Sequence, residues 1–100
     1  MKFTLNFTES AILTLKNLKK DTSPQRQYKA VAKALKYLES NPKHPSLQTH
    51  PYYSLKGPNG EKVFEAYAQQ NTPGAYRIFF FYSSSKGEIT ITSIVKHPRN

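Results

Sequence analysis

The sequence predicts a small α+β domain in which a helical hairpin packs on one face of a largely antiparallel sheet. The chain has 100 residues, which suits a single domain, residues 1–100, with one modest core. Its first half contains one alternating run and two stretches with helical spacing, and its second half contains three β-rich runs. The predicted order is therefore an N-terminal strand, two helices and a three-stranded antiparallel meander, or β-α-α-β-β-β.

The first strand and the first helix follow from the spacing of apolar residues. The strand alternates apolar with polar positions, at Phe3, Leu5 and Phe7. The helix, predicted at about 9–20, repeats apolar residues at helical spacing, at Ile12, Leu15 and Leu18. Thr8 is placed to cap this helix, and Glu9 lies favourably at its positive end.

The second helix follows a predicted turn at 21–24, where Ser23 caps and Pro24 suits the first helical position. Asn41-Pro42 ends it. Its apolar stripe consists of Tyr28, Val31, Leu35 and Leu38. The opposite face carries Lys29, Lys33 and Lys36. We expect this lysine face to be solvated, with contact to a nucleic-acid backbone as the alternative.

Residues 41–62 contain four prolines, two histidines and two glycines, a composition that predicts an irregular segment closed by a turn at 57–60. The strands of the meander are predicted at 63–69, 75–82 and 88–95. The middle run is aromatic and β-branched, which is typical of a central strand buried on both faces. Arg77 lies inside it, and a guanidinium there must reach water, a carboxylate or a phosphate.

The composition narrows the classes of partner and chemistry. A net charge of +9, from 15 Lys+Arg against 6 Asp+Glu, predicts attraction to nucleic acid or to an acidic protein, and less strongly to an anionic membrane surface. The absence of cysteine excludes disulfides, thiolate zinc sites and thiol nucleophiles, and fits a cytoplasmic protein. No apolar run has transmembrane length and no export signal is predicted, so membrane insertion is not expected.

The sequence motifs do not support metal-dependent catalysis or a serine nucleophile. The three histidines, His44, His50 and His97, lack a metal-ligand spacing, and no phosphate-binding glycine loop or nucleophile elbow is present. What remains is a set of basic residues beside the predicted strands: Lys56, Arg77, Lys96, His97 and Arg99.

The antiparallel meander places Arg77 and His97 at the same end of the sheet. A fixed cation beside a histidine suits metal-independent cleavage of RNA, in which the 2′-hydroxyl attacks the adjacent phosphorus. The alternative for His97 is a solvated residue near the end of the chain.

Four segments together resemble the RelE/ParE toxin superfamily. They are Asn41-Pro42 with His44-Pro45-Ser46-Leu47, then Tyr53-Ser54-Leu55-Lys56-Gly57, then 75–82, then 89–98. The resemblance covers essentially the whole chain and implies a compact microbial RNase-like fold. It also implies cleavage of mRNA in the ribosomal A site without a cofactor, and a small acidic antitoxin as partner.

By position, the resemblance implies that Arg77 binds the scissile phosphate, that Lys56 is a further phosphate contact and that His97 acts as acid or base. Glu65 is the remaining candidate for the catalytic set. The candidate substrate-binding residues are Lys62, Lys96, Arg99, His50 and Tyr53.

Two positions depart from the family pattern. Tyr53 stands where some members have a glutamate base, and Pro98 stands where some have a catalytic tyrosine. The candidate replacements are His50, Glu65 and Tyr67, and Glu65 is equally a candidate ion-pair partner of Arg77. Two other functions therefore stay open: a non-catalytic ParE-like inhibitor of DNA gyrase or antitoxin-binding module, and general RNA binding through the lysine-rich helices.

Overall fold

The computed structural model describes residues 2–20, 25–70 and 74–97. The elements in chain order are β1 (Thr4–Phe7), α1 (Glu9–Lys20), α2 (Gln25–Ser40), a 3₁₀ turn (Pro45–Leu47), β2 (His50–Lys56), β3 (Lys62–Tyr67), β4 (Tyr76–Tyr82) and β5 (Glu88–Lys96). The predicted caps Ser23 and Pro24 lie outside the described residues, as do Pro98 and Arg99. None of the helices in these ranges is long and apolar enough to cross a membrane.

The strands form one mixed sheet of five, in the order β1-β5-β4-β3-β2. The strands β2 to β5 are antiparallel neighbours, whereas β1 pairs in parallel with β5. The α+β class and the three predicted meander strands are confirmed. The prediction that 41–62 is irregular was wrong, because β2 lies within it and extends the meander to four strands.

The strand β2 was not predicted, because its sequence does not alternate apolar with polar residues and contains a proline. Pro51 is tolerated because β2 is the edge strand, where a missing N–H removes no ladder bond on the open side. The pairing of β2 with β3 is irregular between Pro51 and Lys56. The predicted turn at 57–60 is confirmed: the Gly57 N–H donates to the Glu61 carbonyl at 2.9 Å, and the Gly60 N–H donates to the Gly57 carbonyl at 3.0 Å.

The predicted cap of α1 is confirmed, since the Ala11 N–H donates to the Thr8 hydroxyl oxygen at 3.2 Å. The Thr8 hydroxyl in turn donates to the Thr92 carbonyl at 2.7 Å, which ties the helix start to β5. Ala11, not the predicted Ile12, begins the buried stripe, and Ile12 is 41% exposed. Leu15 and Leu18 pack in the core as predicted, so only the first position of the predicted stripe was wrong.

The main core lies between the two helices and one face of the sheet. Its fully buried members include Val31, Leu38, Leu47, Ala66, Ile78, Phe80, Ile89, Ile91 and Ile94. Burying each large apolar side chain contributes roughly 1.5–3 kcal/mol, so this layer is the main source of stability. The buried stripe of α2 confirms the prediction for that helix, with Lys29, Lys33 and Lys36 exposed on the opposite side.

Side chains that alternate with this core point to the opposite face of the sheet, which we call the open face. Ile78 and Phe80 face the helices, so Arg77, Phe79 and Phe81 belong to the open face. Phe79 is nevertheless only 3% exposed, because Tyr52 of β2 packs against it with ring centroids 4.8 Å apart. The open face thus carries its own small aromatic layer, and the candidate site lies beside it.

Candidate functional site

A buried carboxylate organises the open face. Glu65 in β3 is 3% exposed and is the buried charged residue among those that the structure describes. Its Oε1 lies 2.7 Å from Nε2 of His50, and its Oε2 lies 2.7 Å from the Arg77 guanidinium. The alternative in which Glu65 pairs with Arg77 is thereby confirmed.

The sheet register explains why these three side chains meet. His50 lies directly opposite Glu65 on β2, and Phe79 lies opposite Glu65 on β4. Arg77 is two residues before Phe79, so it occupies the diagonal position on the same face. The contact between Arg77 and Glu65 therefore joins neighbouring strands and needs no loop to position it.

The Arg77 guanidinium is held in a partly buried slot. Its side chain is 16% exposed, and its central carbon lies 4.9 Å from the Phe79 ring centroid and 5.8 Å from that of Tyr52. Arginine keeps its charge in such a setting, and aromatic faces stabilise it. Its Nε is buried and has no hydrogen-bond partner among the described residues. Arg77 is thus a fixed cation with hydrogen-bonding capacity left over.

His50 is bound through both ring nitrogens. Nδ1 lies 2.8 Å from the Gln48 carbonyl oxygen and Nε2 lies 2.7 Å from Glu65 Oε1. Both partners accept hydrogen bonds when Glu65 is ionised, and a neutral imidazole has only one N–H to donate. Both contacts can be hydrogen bonds at once only when the ring is doubly protonated and cationic.

Gln48 adopts a left-handed backbone conformation, with φ of 47°, where the chain passes from the 3₁₀ turn towards β2. This conformation is uncommon for residues other than glycine. Its carbonyl accepts the hydrogen bond from His50, so the turn takes part in the site. No sequence signal identified Gln48, because the role belongs to its backbone.

Tyr67 lies between two imidazoles. Its ring centroid is 5.6 Å from that of His50 and 6.2 Å from that of His97. Burial, the charge of Glu65 and a hydrogen bond to it raise the pKa of Tyr67, while Arg77 acts in the opposite direction. The hydroxyl therefore remains a proton donor at neutral pH. We call His50, Glu65, Tyr67, Arg77 and His97 the Glu65 cluster.

The position of His97 confirms the prediction that it shares one end of the sheet with Arg77. Val95 lies opposite Arg77, and the His97 N–H donates to the Ala75 carbonyl at 2.7 Å just beyond the paired strands. Lys96, which lies opposite Tyr76, is exposed at the same end.

Lys56 and Lys62 are placed elsewhere. They lie opposite each other at the turn between β2 and β3, and both are exposed. Lys62 lies five positions before Tyr67, the strand partner of Arg77, which corresponds to roughly 16 Å along β3. Lys56, which the resemblance implies is a further phosphate contact, therefore lies at the opposite end of the sheet from Arg77, because β2 runs antiparallel to β3 and carries Lys56 to the far end.

Solvent exposure indicates the roles of two further candidate site residues, Glu65 and Tyr53. Glu65 is buried with both oxygens bound, so it is placed to position Arg77 and His50 and not to contact a substrate. Tyr53 is 78% exposed on the edge strand. His44 has a structural role, since it stacks on Tyr37 at 3.9 Å and its Nδ1 accepts the Ser46 N–H.

Metal binding finds no geometric support in the part of the chain that the structure describes. No group of three or more histidine, aspartate or glutamate side chains converges there, and the sequence has no cysteine.

Compared by sequence, the chain matches no protein-family model and no curated protein. Compared by structure, it has the fold of RelE/ParE-like toxins, as the sequence predicted. It is similar to a chain of the archaeal RelE–RelB complex from Pyrococcus horikoshii, with a TM-score of 0.69 and 16% identity over 100% of both chains.

Two bacterial structures give the same result. The YoeB/ParE toxin from Agrobacterium tumefaciens has a TM-score of 0.68 and 15% identity, over 94% of this chain and 98% of that one. The YoeB dimer from Staphylococcus aureus has a TM-score of 0.66 and 14% identity, over 97% and 99%.

Proposed function

We propose that this protein is a RelE-like toxin that cleaves mRNA on the ribosome without a metal ion. The observation that supports this most is the Glu65 cluster, which gathers a fixed cation, two imidazoles and a protonated tyrosine on one face of a RelE-like sheet. A net charge of +9 supplies general attraction to RNA.

The proposed reaction is a transfer within the RNA backbone. The 2′-oxygen attacks the adjacent phosphorus, the bond to the 5′-oxygen breaks, and a 2′,3′-cyclic phosphate remains. One group must accept the 2′-hydroxyl proton and another must protonate the leaving oxygen. His97 performs one of these transfers, because the hydrogen bonds of His50 occupy both of its nitrogens.

The other residues of the cluster stabilise charge. Arg77 offsets the negative charge that grows on the phosphorane oxygens. Tyr67, which hydrogen-bonds to Glu65, helps to hold that carboxylate in place. Glu65 orients both cations. Outside the cluster, Lys56, Lys62, Lys96 and Arg99 contact the RNA backbone, and the exposed ring of Tyr53 offers a surface on which a base stacks.

The proposed protein partner is a small acidic antitoxin. The structural similarity to a chain from a RelE–RelB complex supports it, together with the excess positive charge of this chain. Such a partner would offset the cationic surface by charge complementarity.

A second function, ParE-like inhibition of DNA gyrase without RNA cleavage, is favoured by one observation. Glu65 already offsets the charge of Arg77 at 2.7 Å, so the cation is not fully available to a phosphate. If the protein is a gyrase inhibitor, the Glu65 cluster has a structural role and other surfaces of the protein carry the function.

The deciding experiment programmes purified ribosomes with a defined mRNA and maps cuts by primer extension. Wild type is compared with Arg77→Gln and with Lys56→Ala as a matched loss of charge at the far end of the sheet. We expect Arg77→Gln to lower the cleavage rate about 100-fold or more and Lys56→Ala to lower it less than about tenfold.

Circular dichroism and urea unfolding establish that both variants fold. Equal cleavage by wild type and Arg77→Gln would remove Arg77 from the mechanism. Intact mRNA together with loss of supercoiling by purified gyrase would replace the nuclease by the gyrase inhibitor.

A further inference from the structure

One carboxylate is shared between His50 and Arg77. Glu65 contacts His50 through one oxygen and Arg77 through the other, each at 2.7 Å. His50 is the more accessible of the two cations, with a side chain 41% exposed against 16% for Arg77. A ligand that approaches from solvent therefore meets the edge of the imidazole.

The charge of this triad depends on one proton. With His50 doubly protonated, two positive charges face one negative charge and the triad has a net charge of +1. With His50 neutral, the Arg77 and Glu65 charges cancel and the net charge is zero. An anion binds the first state more tightly, because the extra charge lies within a few ångströms of the open face.

We propose that His50 is a second cation of the phosphate site, that its positive charge when protonated strengthens binding of an RNA phosphodiester by electrostatic attraction, and that Glu65 positions it together with Arg77. This inference rests on the proposed function and names a determinant of substrate affinity within it. The Gln48 carbonyl completes the arrangement, because it holds the second N–H of the ring at 2.8 Å.

Other titratable groups face His50, and their effects on the pH dependence of binding must be distinguished from its own. Glu65 and Tyr67 face it from β3, Arg77 approaches from β4, and His97 lies across the Tyr67 ring. Arg77 keeps its charge throughout, and Tyr67 stays neutral at neutral pH because its pKa is raised. His97 is a second imidazole beside Tyr67, so it needs its own control.

The test measures binding of a fluorescent 2′-O-methyl RNA hexanucleotide, which lacks the attacking hydroxyl and cannot be cleaved. Anisotropy titrations at constant ionic strength run from about pH 5 to about pH 8, the range in which histidine changes charge. The variants are His50→Gln, His50→Lys, His97→Gln and the double variant His50→Gln/His97→Gln. Thermal unfolding at each pH establishes that every variant is folded.

We expect the affinity of wild type to fall roughly threefold to tenfold across this range. His50→Gln, which keeps an amide donor but no titrating proton, should bind weakly at low pH and lose most of that dependence. His50→Lys should bind tightly at both ends of the range. His97→Gln should keep the part of the dependence that comes from His50, and the double variant should show the least.

Two results overturn the inference: His50→Gln with the same pH dependence as wild type, or His50→Lys with the weak binding of His50→Gln. The ribosome assay separates the two proposals. If wild type cleaves mRNA while His50→Gln keeps the full pH dependence, the nuclease stands and the role of His50 falls. If wild type neither binds the probe nor cleaves, the phosphate site itself is wrong.

Discussion

The two ends of the sheet are both positively charged, but they are built differently. At the hairpin end, Lys56 and Lys62 stand opposite each other on exposed strand positions. At the other end, Arg77 and His50 share the buried carboxylate of Glu65. Excess charge alone gives attraction to polyanions, whereas a carboxylate that fixes cations at defined distances gives a shaped site.

The hairpin end has a structural explanation of its own. Like charges directly opposite each other on paired strands are mildly unfavourable, yet lysines on an edge strand discourage association with another sheet. The strand β2 is such an edge. Lys56 and Lys62 therefore protect the sheet whatever further role they have in binding a substrate.

The largest expected difference between the two ends is in stability. Glu65→Gln leaves the Arg77 guanidinium partly buried without its carboxylate partner and changes the group that His50 contacts, so we expect a loss of about 2–4 kcal/mol in the free energy of unfolding. Urea denaturation at neutral pH measures it. A loss no larger than that of an exposed control would show that the Glu65 cluster contributes nothing to folding.

Glu61→Gln at the hairpin end supplies that control. Hydrogen bonds from the backbone N–H groups of Asn59 and of Glu61 itself lower the pKa of Glu61. A lowered folded-state pKa means that the carboxylate stabilises the fold above its ordinary pKa and ceases to do so as the pH falls through the folded value. The small effect of Glu61→Gln should therefore disappear in acid.

A smaller difference is expected in RNA binding. Replacing Lys56 and Lys62 together by alanine should weaken binding of a single-stranded RNA uniformly across sequences. The salt slope should fall by about 1.4, that is, by about 0.7 for each phosphate that a lysine no longer neutralises. Fluorescence anisotropy over a series of salt concentrations measures the slope. A change in the mapped cleavage site instead would place the lysines in the chemistry and remove the distinction between the two ends.

The smallest expected effect is on stability at alkaline pH. It is tested by comparing one tyrosine at each end of the sheet. Burial raises the pKa of both Tyr67 and Tyr82, and the charge of Glu65 raises that of Tyr67 further. Each raised pKa gives stability that is present below the unfolded value of about 10 and lost as the pH rises through the folded value. Tyr67→Phe and Tyr82→Phe should each flatten this alkaline decline.

Urea midpoints at about pH 8 and above pH 10 test this last prediction. The contrary outcome is a variant whose midpoint falls between these pH values as steeply as that of wild type. Such a result for Tyr67→Phe would show that its hydroxyl is not held beside the Glu65 carboxylate.

Local patterns predicted most of the fold because most elements have one. The cap at Thr8, the apolar stripe of α2 and the aromatic run of β4 each follow from spacing or residue type. The strand β2 has neither alternation nor an uninterrupted apolar run, since Pro51 lies within it. It forms because β3 offers a free edge, which is a tertiary cause invisible to a local window.

The site was predictable to the same extent. Antiparallel order alone places Arg77 and His97 at one end of the sheet. The contacts of His50 required β2, so its partnership with Glu65 and the carbonyl of Gln48 could not be derived. The position of Lys56 at the far end of the sheet could not be predicted for the same reason, because a loop residue has no fixed register whereas a strand residue does.

The parallel pairing of β1 with β5 affects how the molecule is made. The pairing runs from Thr4 opposite Glu88 to Phe7 opposite Ile91. The first strand of the chain therefore cannot form its backbone hydrogen bonds in the sheet until the last strand is present. Contacts this distant along the chain slow folding, because a large loop must close before they form. During synthesis, the edge of β1 that pairs with β5 therefore has no strand partner until residues 88–96 are made, and in that interval it is open to a chaperone or a binding partner.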